Sequence, residues 1–342
     1  MHQIDKFGSY EVFTITRASR RLIESYSNRT AQWQDKTRCP RCAAAILYLE
    51  SQPRCSSSGC VYHTAGFPLV NEQPVLIDFE SSIFDRPNYR SDNDSVLDRD
   101  VDRRSWGSLA HRLAFGKNPV AASNCTRFIK LLKQLSGRPT VLVIGGATIG
   151  SGADDLYSDP LLDVVGTDVF SSRNTVIVAD AHKLPFEDGS FDGVWIQAVL
   201  EHVLEPAMVA AEIHRVLRRS GLVYAETPFM QQVHEKAYDF SRFTQSGHRW
   251  LFRHFTEIDA GPVSGPGVAL LWSIRYFWRA FGAGDKLSRL LALPFFWLRF
   301  LDRFAYGRAA TDAASGVFFL GRRAEQQAID ANAMPRYYED QG

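Results

Sequence analysis

The sequence predicts an α/β fold in which a mostly parallel sheet is covered by helices on both faces. Residues 106–260 alternate between short apolar runs and segments with helical periodicity, a pattern typical of parallel strands joined by helices. The apolar runs are 141–144, 164–166, 176–178, 193–196 and 222–225, and the predicted helices include 109–135 and 206–217.

The composition is that of a soluble globular protein, with 342 residues, 45% hydrophobic and 23% charged,. A formal net charge of +1 gives no global basic field that would favour nucleic acid,. The first residues lack the apolar run of a secretory signal, and no stretch reaches the roughly 18 apolar residues that span a bilayer. We therefore expect a cytoplasmic protein, with peripheral contact at the inner membrane face left open.

The first strand of the predicted sheet, 141–144, is followed by a glycine-rich loop containing Gly145, Gly146, Gly150 and Gly152. Glycine has no Cβ, so a ligand can approach the backbone closely. A strand, a glycine loop and a helix start together form a common site for nucleotide-like cofactors.

Two carboxylates follow the next two strands. Asp168 ends the second strand, where a carboxylate can accept hydrogen bonds from ribose hydroxyls, and Asp180 comes directly after the third. The dinucleotide pattern G-x-G-x-x-G is not matched, because Ala147 stands where its second glycine falls. These features indicate a site for a nucleotide-like cofactor other than a dinucleotide.

Four segments of the chain resemble the class I S-adenosylmethionine-dependent methyltransferases, in the branch that includes ubiquinone-biosynthesis-type enzymes. The segments are VLVIGG at 141–146, VVGTD at 164–168, VADAHKLPFEDGSFDGVWIQAVLEHV at 178–203 and EIHRVLRRSGLVYAETP at 212–228. The resemblance implies a Rossmann-like sheet of seven strands, with the last strand antiparallel to the others.

The resemblance also implies a set of cofactor-binding residues in the glycine loop and at the ends of the next three strands. The set is Gly145, Gly146, Ala147, Gly150, Asp168, Val169, Asp180, Ala181, Gln197 and Ala198. Within it, Gly145 and Gly146 would face the methionine part, Asp168 would hold the ribose hydroxyls, Asp180 would lie near the adenine amine, and Gln197 would line the sulfonium side.

Near the N-terminus, Cys39, Cys42, Cys55 and Cys60 form a C-x2-C and a C-x4-C pair separated by 12 residues. Four thiolates in such turns predict a tetrahedral structural zinc site that is closed by protein ligands. An alternative set replaces one cysteine with His63. The fifth cysteine, at position 125, is expected to be a core residue.

Catalytic candidates follow the fourth and fifth strands, at the edge of the sheet where the cofactor would lie. His202 is a candidate general base, because imidazole titrates near neutral pH. His234, Asp239 and Arg242 lie in a polar and aromatic segment that we interpret as an acceptor-binding lid. It resembles segments in methyltransferases of saccharide and cell-envelope loci, which favours a hydroxyl of a saccharide, a cell-envelope glycan or another small molecule as acceptor.

Aromatic residues and arginines recur at helical spacing in residues 268–304, which predicts two amphipathic helices. They fall between 256–259 and 316–320, the last two predicted strands, and so form an insertion. One interpretation is a helical cover packed on the domain or on a dimer partner. Another is contact with an anionic membrane near a lipid-linked acceptor.

The predicted organisation is a zinc-ribbon-like module at 1–80, a solvated linker at 81–105, a methyltransferase domain at 106–325 with a helical insertion at 262–312, and a polar tail at 326–342. The leading hypothesis is an enzyme that methylates a small molecule or glycan. Two alternatives are a ribosomal or transfer RNA methyltransferase that uses the zinc ribbon for RNA contact, and a non-catalytic binding module that retains the fold.

Overall fold

A computed structural model describes residues 33–49, 52–89 and 118–340 of the chain. The described part contains eleven strands. In chain order they are β1 (Ile46–Tyr48), β2 (Pro53–Cys55), β3 (Leu69–Val70), β4 (Gln73–Leu76), β5 (Thr140–Ile144), β6 (Asp163–Asp168), β7 (Ile177–Ala179), β8 (Phe191–Gln197), β9 (Leu217–Pro228), β10 (Phe255–Ser264) and β11 (Gly316–Arg323).

Nine α-helices accompany these strands in the described residues: α1 (Val61–Ala65), α2 (Pro119–Leu135), α3 (Asp154–Ser158), α4 (Pro206–Val216), α5 (Gln245–Leu251), α6 (Pro266–Ala280), α7 (Asp285–Ala292), α8 (Gly307–Asp312) and α9 (Met334–Asp340). Shorter turns are 3₁₀ helices, and one 3₁₀ helix is long, Leu293–Phe304. None of these described helices is long and apolar enough to cross a membrane.

Nine strands form one sheet in the order β10-β11-β9-β8-β5-β6-β7-β4-β3. From β9 to β4 in this order, each strand runs parallel to the next. Strand β11 runs antiparallel to both β9 and β10, and β3 runs antiparallel to β4. The seven strands β5–β11, with β11 antiparallel, confirm the fold class expected from the sequence.

Helix α2 illustrates how the local sequence sets these elements. The Asn118 side chain accepts a hydrogen bond from the Ala121 amide and caps the helix, and Pro119 occupies its first turn,. Cys125, Phe128 and further apolar residues on one helical face are buried against the sheet, so Cys125 is a core residue as expected. The predicted helix began at residue 109, and residues 109–117 lie outside the described part.

The N-terminal region differs from the expected separate module, because it shares the main sheet and core. Strand β4 pairs in parallel with β7, at Val75↔Val178 and Leu76↔Ala179. Trp33 stacks on Phe191 with ring centroids 4.9 Å apart. The cysteine hairpin β1–β2 therefore belongs to an extension of the domain.

The predicted linker 81–105 also needs correction where the structure describes it, in residues 81–89. Phe84 and Tyr89 are buried, and the Tyr89 hydroxyl donates to the Val169 carbonyl at 2.8 Å. This segment packs against the sheet because its two aromatic side chains fill an apolar cluster with Val75 and Val178. Residues 90–105 lie outside the described part.

The insertion between β10 and β11 contains α6, α7, the 3₁₀ helix Leu293–Phe304 and α8, where the sequence indicates two amphipathic helices. The predicted polar tail is also structured through residue 340. The Tyr337 hydroxyl in α9 donates to Glu257 at 3.0 Å, and Arg249 lies over the Tyr337 ring. These contacts hold the tail on β10 and α5.

Candidate active site

The carboxyl ends of β5, β6, β7, β8 and β9 meet at one edge of the sheet and line a cavity of about 520 Å³. Ligand pockets in proteins commonly fall between about 300 and 1,000 Å³. Eight of the ten residues expected to bind cofactor line this cavity: Gly145, Gly150, Asp168, Val169, Asp180, Ala181, Gln197 and Ala198.

Two glycines of the loop are packed closely by neighbouring side chains. Gly145 has φ +77°, and a Cβ there would lie 2.2 Å from Val199 Cγ2, so this position requires glycine,. A Cβ on Gly150 would lie 2.1 Å from Gln197 Oε1, and the glutamine side chain would have to move to admit it.

The other two loop residues expected at the cofactor, Gly146 and Ala147, do not line the cavity. The Gly146 amide donates to the Thr167 carbonyl at 2.9 Å, and the Gly146 Cα packs against β6. The Ala147 amide donates to Asp168 Oδ2 at 3.0 Å. Both residues support the loop from behind, because the loop packs here against the carboxyl end of β6.

Asp168 is 8% exposed at the end of β6. Its two carboxylate oxygens accept hydrogen bonds from the Ala147 amide and, at 2.7 Å, from the Val169 amide. These bonds fix the carboxylate against the glycine loop, and a carboxylate oxygen can accept more than one hydrogen bond. A carboxylate in this position can accept hydrogen bonds from a pair of vicinal hydroxyls.

Asp180 is also buried, and its carboxylate is held on both oxygens. The Ser82 hydroxyl donates to Oδ2 at 2.5 Å, and the His182 amide donates to Oδ1 at 3.0 Å. Burial raises the pKa of Asp180, but hydrogen bonding and charge from His182, together with the Ser82 hydroxyl, outweigh burial and leave the pKa below its ordinary value.

Sequence reasoning missed three groups that line the cavity beside the glycine loop. Glu226 at the end of β9 accepts from the Tyr224 hydroxyl at 2.9 Å and from Gln197 at 3.3 Å, and burial raises its pKa to about 7. The Tyr157 hydroxyl is buried and bonds to no described residue. Ser151 completes the group. Of the three, only Glu226 could have been predicted from the sequence, because it directly follows the fifth apolar run, whose end lies at the same edge of the sheet as Asp168.

At the other side of the cavity, two imidazoles approach one buried carboxylate. Glu201 is fully buried, and neither of its carboxylate oxygens has a hydrogen-bond partner among the described residues. Its Oε1 lies 3.6 Å from His202 Nε2 and 3.9 Å from His234 Nε2. Burial raises the pKa of Glu201 to about 8. Sequence reasoning named both histidines and missed Glu201, although it is adjacent to His202.

The tautomer of His202 follows from its neighbour. Its Nδ1 lies 2.7 Å from the Tyr238 carbonyl, which can only accept, so Nδ1 carries the hydrogen and Nε2 presents a lone pair,. The two imidazole nitrogens and the Glu201 oxygen lie within 4.8 Å of one another. Such a set can share a proton or hold a divalent cation.

Asp239 and Arg242, expected to be catalytic, do not line this cavity. They form a two-pronged ion pair,, and Arg242 also donates to the carbonyls of Gln231 and Gln232. Burial raises the pKa of Asp239, but its bonds from Arg242 and from the His234 amide lower it to about 2. The pair ties the loop after β9 together, and Asp239 accepts from the His234 amide at 2.9 Å, so the two residues lie behind His234 and not at the cavity where they were expected.

The four N-terminal cysteines form a second cluster, with their sulfur atoms within 4.8 Å of one another. Cys39 Sγ and Cys60 Sγ are 3.8 Å apart, and Cys42 Sγ and Cys55 Sγ are 3.4 Å apart. Sulfur atoms about 2.3 Å from a tetrahedral zinc ion would have similar separations. His63 is not part of the cluster, because its Nδ1 faces the Cys55 carbonyl at 2.8 Å.

Comparison with protein families places a methyltransferase domain at residues 155–225. This match includes strands β6–β8 and most of β9, and hence Asp168, Asp180 and Gln197.

Among curated proteins, a 37.1 kDa uncharacterised protein in transposon TN4556 of Streptomyces fradiae is 45% identical over 53 residues, which are 16% of this chain and 15% of that protein. The ubiquinone/menaquinone biosynthesis C-methyltransferase UbiE of Rhizobium etli is 32% identical over 33% of this chain and 44% of its own length. UbiE of Brucella canis is 27% identical over 61% and 74%. The chain thus spans less than half the length of the Streptomyces and Rhizobium relatives.

Among solved structures, a putative sarcosine dimethylglycine methyltransferase from Galdieria sulphuraria aligns with 13% identity and a TM-score of 0.42, over 64% of this chain and 97% of that one. Phosphoethanolamine N-methyltransferase 2 of Haemonchus contortus, in complex with S-adenosyl-L-methionine, aligns with 19% identity and a TM-score of 0.39, over 66% and 59%. The fold assignment itself rests on the strand order.

Proposed function

We propose that this chain, which contains a class I S-adenosylmethionine-dependent methyltransferase domain, transfers the cofactor's methyl group to an acceptor oxygen, in the first place a hydroxyl of a saccharide or cell-envelope glycan. One observation carries the proposal. A single cavity is lined on one side by Gly145 and Asp168, and on the other by the imidazoles of His202 and His234.

The residues present fit the cofactor. Gly145 and Gly150 line the cavity with backbone alone, so a ligand can lie against the loop there, and Asp168 is placed to accept from the ribose hydroxyls,. The Tyr157 hydroxyl and the Glu226 carboxylate suit the carboxylate and ammonium of the methionine part. When bound, S-adenosylmethionine supplies an electrophilic methyl group on its sulfonium.

The chain's own contribution to chemistry is to orient the acceptor and to accept its proton. His202 presents the lone pair of Nε2, and His234 lines the same cavity. Glu201 lies close to both Nε2 atoms, and its ionised form, which burial disfavours below about pH 8, would stabilise an imidazolium,. Asp239 and Arg242 act through His234 as positioning residues.

A phenolic ring is the second candidate acceptor, and two observations favour it. Phe84 and Tyr238 both line the cavity and stack with ring centroids 6.2 Å apart, which suits an aromatic ligand. The Rhizobium and Brucella relatives are named as ubiquinone/menaquinone C-methyltransferases. Loss of a phenolic proton would activate such a ring for methylation at oxygen or carbon.

The cysteine region gives less support to RNA as acceptor. Arg38 pairs with Glu187, Arg41 pairs with Glu80 at 2.7 Å, and Arg54 donates to the carbonyls of residues 63 and 64. Arginines engaged in this way are poorly placed to contact phosphates, which dominate the affinity of nucleic-acid-binding proteins.

We further propose that the four clustered cysteines bind one structural zinc ion, which agrees with the sulfur separations in this cluster. The ion would hold β1, β2 and the start of α1 together. With four protein ligands, no position is left for a substrate. The metal content of the purified protein, about one zinc per chain, is the corresponding measurement.

The test of the methyltransferase proposal has two stages. Calorimetric titration of the full chain with S-adenosylmethionine is expected to show one site; absence of heat would overturn the proposal. Turnover is then measured with the labelled cofactor on a panel of saccharides and a panel of phenols, and the position of the new methyl group is read by mass spectrometry and NMR. Incorporation only into RNA would replace the proposed acceptor.

The role of His234 has its own test. His234→Gln is expected to lower kcat by about 10²- to 10⁴-fold, the usual size of general-base effects, and to leave the Kd for S-adenosylmethionine unchanged. His214→Gln is the matched control, because that imidazole contacts the Ala324 carbonyl away from the cavity. Equal kcat values for the two variants would exclude His234 as the base.

A further inference from the structure

Polar contacts hold residues 266–308 of the helical insertion together, and they use both aspartates of this segment. Asp302 accepts hydrogen bonds from the amides of Gly265 at 3.1 Å and Gly267 at 2.6 Å, and so caps α6,. Asp285 pairs with the buried Arg275 and, at 2.7 Å, with Arg289. Both carboxylates of residues 266–308 are therefore engaged inside the insertion.

The outer surface of the insertion is strongly apolar. The 3₁₀ helix Leu293–Phe304 contacts α6 through the Leu298 backbone and through Asp302, and none of its residues is buried. Phe281 is 75% exposed and Leu290 is 63% exposed. We call the following six exposed residues the insertion face: Phe281, Leu290, Phe296, Trp297, Phe300 and Phe304.

Positive charge is concentrated in the same segment. Residues 266–308 contain seven arginines and lysines against two aspartates, although the whole chain carries a formal charge of only +1. Lys286 and Arg303 are exposed among the apolar residues, and Arg303 lies over the Phe304 ring at 4.6 Å. The rest of the chain is correspondingly negative.

We propose that the insertion face docks the protein on the surface of an anionic lipid bilayer. Aromatic and leucine side chains flanked by arginine and lysine are suited to the boundary between acyl chains and headgroups. A second copy of the chain fits the face less well, because a two-fold interface would bring two positively charged faces together.

Docking in this way would bring the candidate active site close to the lipid surface. Helix α6 contacts the loop that carries His234: the Tyr276 hydroxyl donates to the Val233 carbonyl at 2.6 Å, and the Trp272 ring lies 6.3 Å from the His234 ring. Val233 itself is 55% exposed. A lipid-linked acceptor would be within reach of the cavity, but docking itself does not depend on the proposed chemistry.

The test is co-sedimentation of the full chain with vesicles of phosphatidylcholine, with or without phosphatidylglycerol. Wild type is expected to bind the anionic vesicles. A variant with serine at Phe281, Phe296, Trp297 and Phe300 should bind at least about a hundredfold more weakly, since apolar area drives insertion. Lys286→Gln combined with Arg303→Gln should lower affinity roughly fivefold per charge on anionic vesicles only.

The matched control carries Leu161→Ser and Met208→Ser, two exposed apolar residues outside the insertion, and should bind like wild type. Circular dichroism and titration with S-adenosylmethionine verify that each variant is folded. Failure of wild type to bind anionic vesicles would overturn the proposal. So would a stable dimer in light scattering that the same serine substitutions dissociate, because the face would then be a contact between copies.

Discussion

The two additions to the seven-stranded sheet lie at its opposite edges and differ in how they meet the rest of the molecule. Beyond β7, the N-terminal region shares the main core and forms polar contacts with the segment that follows β7. Asp78 pairs with Lys183 at 3.0 Å, and Ser82 donates to Asp180, which lines the cavity. Beyond β9, the helical insertion engages both carboxylates of residues 266–308 internally and leaves large apolar residues such as Phe281 and Phe304 exposed.

This difference suggests a division of roles. The cysteine cluster is connected to the cofactor side of the cavity by two hydrogen bonds. The Tyr62 hydroxyl, two residues after Cys60, accepts from the Phe79 amide at 2.7 Å, and three residues later Ser82 donates to Asp180. Contacts from the insertion reach the acceptor side through Tyr276. Changes in the first region should therefore alter cofactor affinity, and changes in the second should leave it intact.

The largest effect is expected from loss of the cysteine cluster. Cys55→Ser should abolish zinc binding and weaken S-adenosylmethionine binding at least about tenfold, because a structural zinc site contributes several kcal/mol to local folding. Metal analysis and calorimetric titration of the same preparations measure both effects.

Cys125→Ala is the control, since this buried thiol lies in α2 outside the cluster. It should retain the full zinc content and nearly wild-type affinity for the cofactor. A Cys55→Ser protein that loses zinc and still binds S-adenosylmethionine normally would show that the N-terminal region is not coupled to the cavity.

The next effect tests the cofactor side of the cavity directly. Asp168→Ala should weaken S-adenosylmethionine binding by roughly 1.5–3 kcal/mol, the scale of hydrogen bonds to a charged group. Part of this loss comes from the freed Ala147 amide, which Asp168 holds in place. The exposed Asp188, changed to alanine, is the control. An unchanged Kd for Asp168→Ala would mean that the ribose site lies elsewhere.

The sequence predicts most of the sheet because buried parallel strands appear as short apolar runs, and their carboxyl ends fix where Asp168, Asp180 and Gln197 must lie. It also predicts that four cysteines gather, since their spacing suits paired turns. It cannot predict which loop residues face the cavity. Gly146 lies behind the loop because of one backbone bond to Thr167, which no residue pattern reveals.

Contacts distant in sequence account for what the sequence leaves unpredicted. Residues 81–89 are polar enough to suggest a linker, but Phe84 and Tyr89 are buried in a cluster that includes Val178 of β7, which lies far along the chain. The burial of Glu201 also depends on a segment distant in sequence, the loop after β9. The amides of Phe240 and Ser241 in this loop donate hydrogen bonds to the Glu201 carbonyl.

Glu201 also provides a pH-dependent test of the acceptor side. Its pKa is raised by burial from 4.5 to about 8, so between these values the carboxyl is protonated in the folded chain and ionised in the unfolded chain. Stability should therefore fall as pH rises through this window. Glu201→Gln mimics the protonated form and should gain up to about 4 kcal/mol over wild type near pH 8.5, relative to pH 5.

Chemical denaturation at the two pH values measures this difference, and the exposed Glu205, changed to glutamine, serves as control. Cofactor affinity should not change in either variant, because Glu201 lies on the acceptor side of the cavity. Parallel pH profiles for wild type and Glu201→Gln would mean that the buried carboxyl is ionised in the folded chain.

The smallest effect compares one hydroxyl in each addition. Ser82→Ala removes the bond to Asp180 and should weaken S-adenosylmethionine binding by about 0.5–1.5 kcal/mol,. Ser273→Ala removes two bonds, one accepted from Gln232 Nε2 at 3.2 Å and one donated to the Ala269 carbonyl at 3.0 Å, and should leave the Kd unchanged. Calorimetric titration of both variants at one temperature and salt concentration measures the two Kd values. Equal losses of affinity would mean that both edges of the sheet control the cofactor site, and the proposed division of roles between the two additions would be wrong.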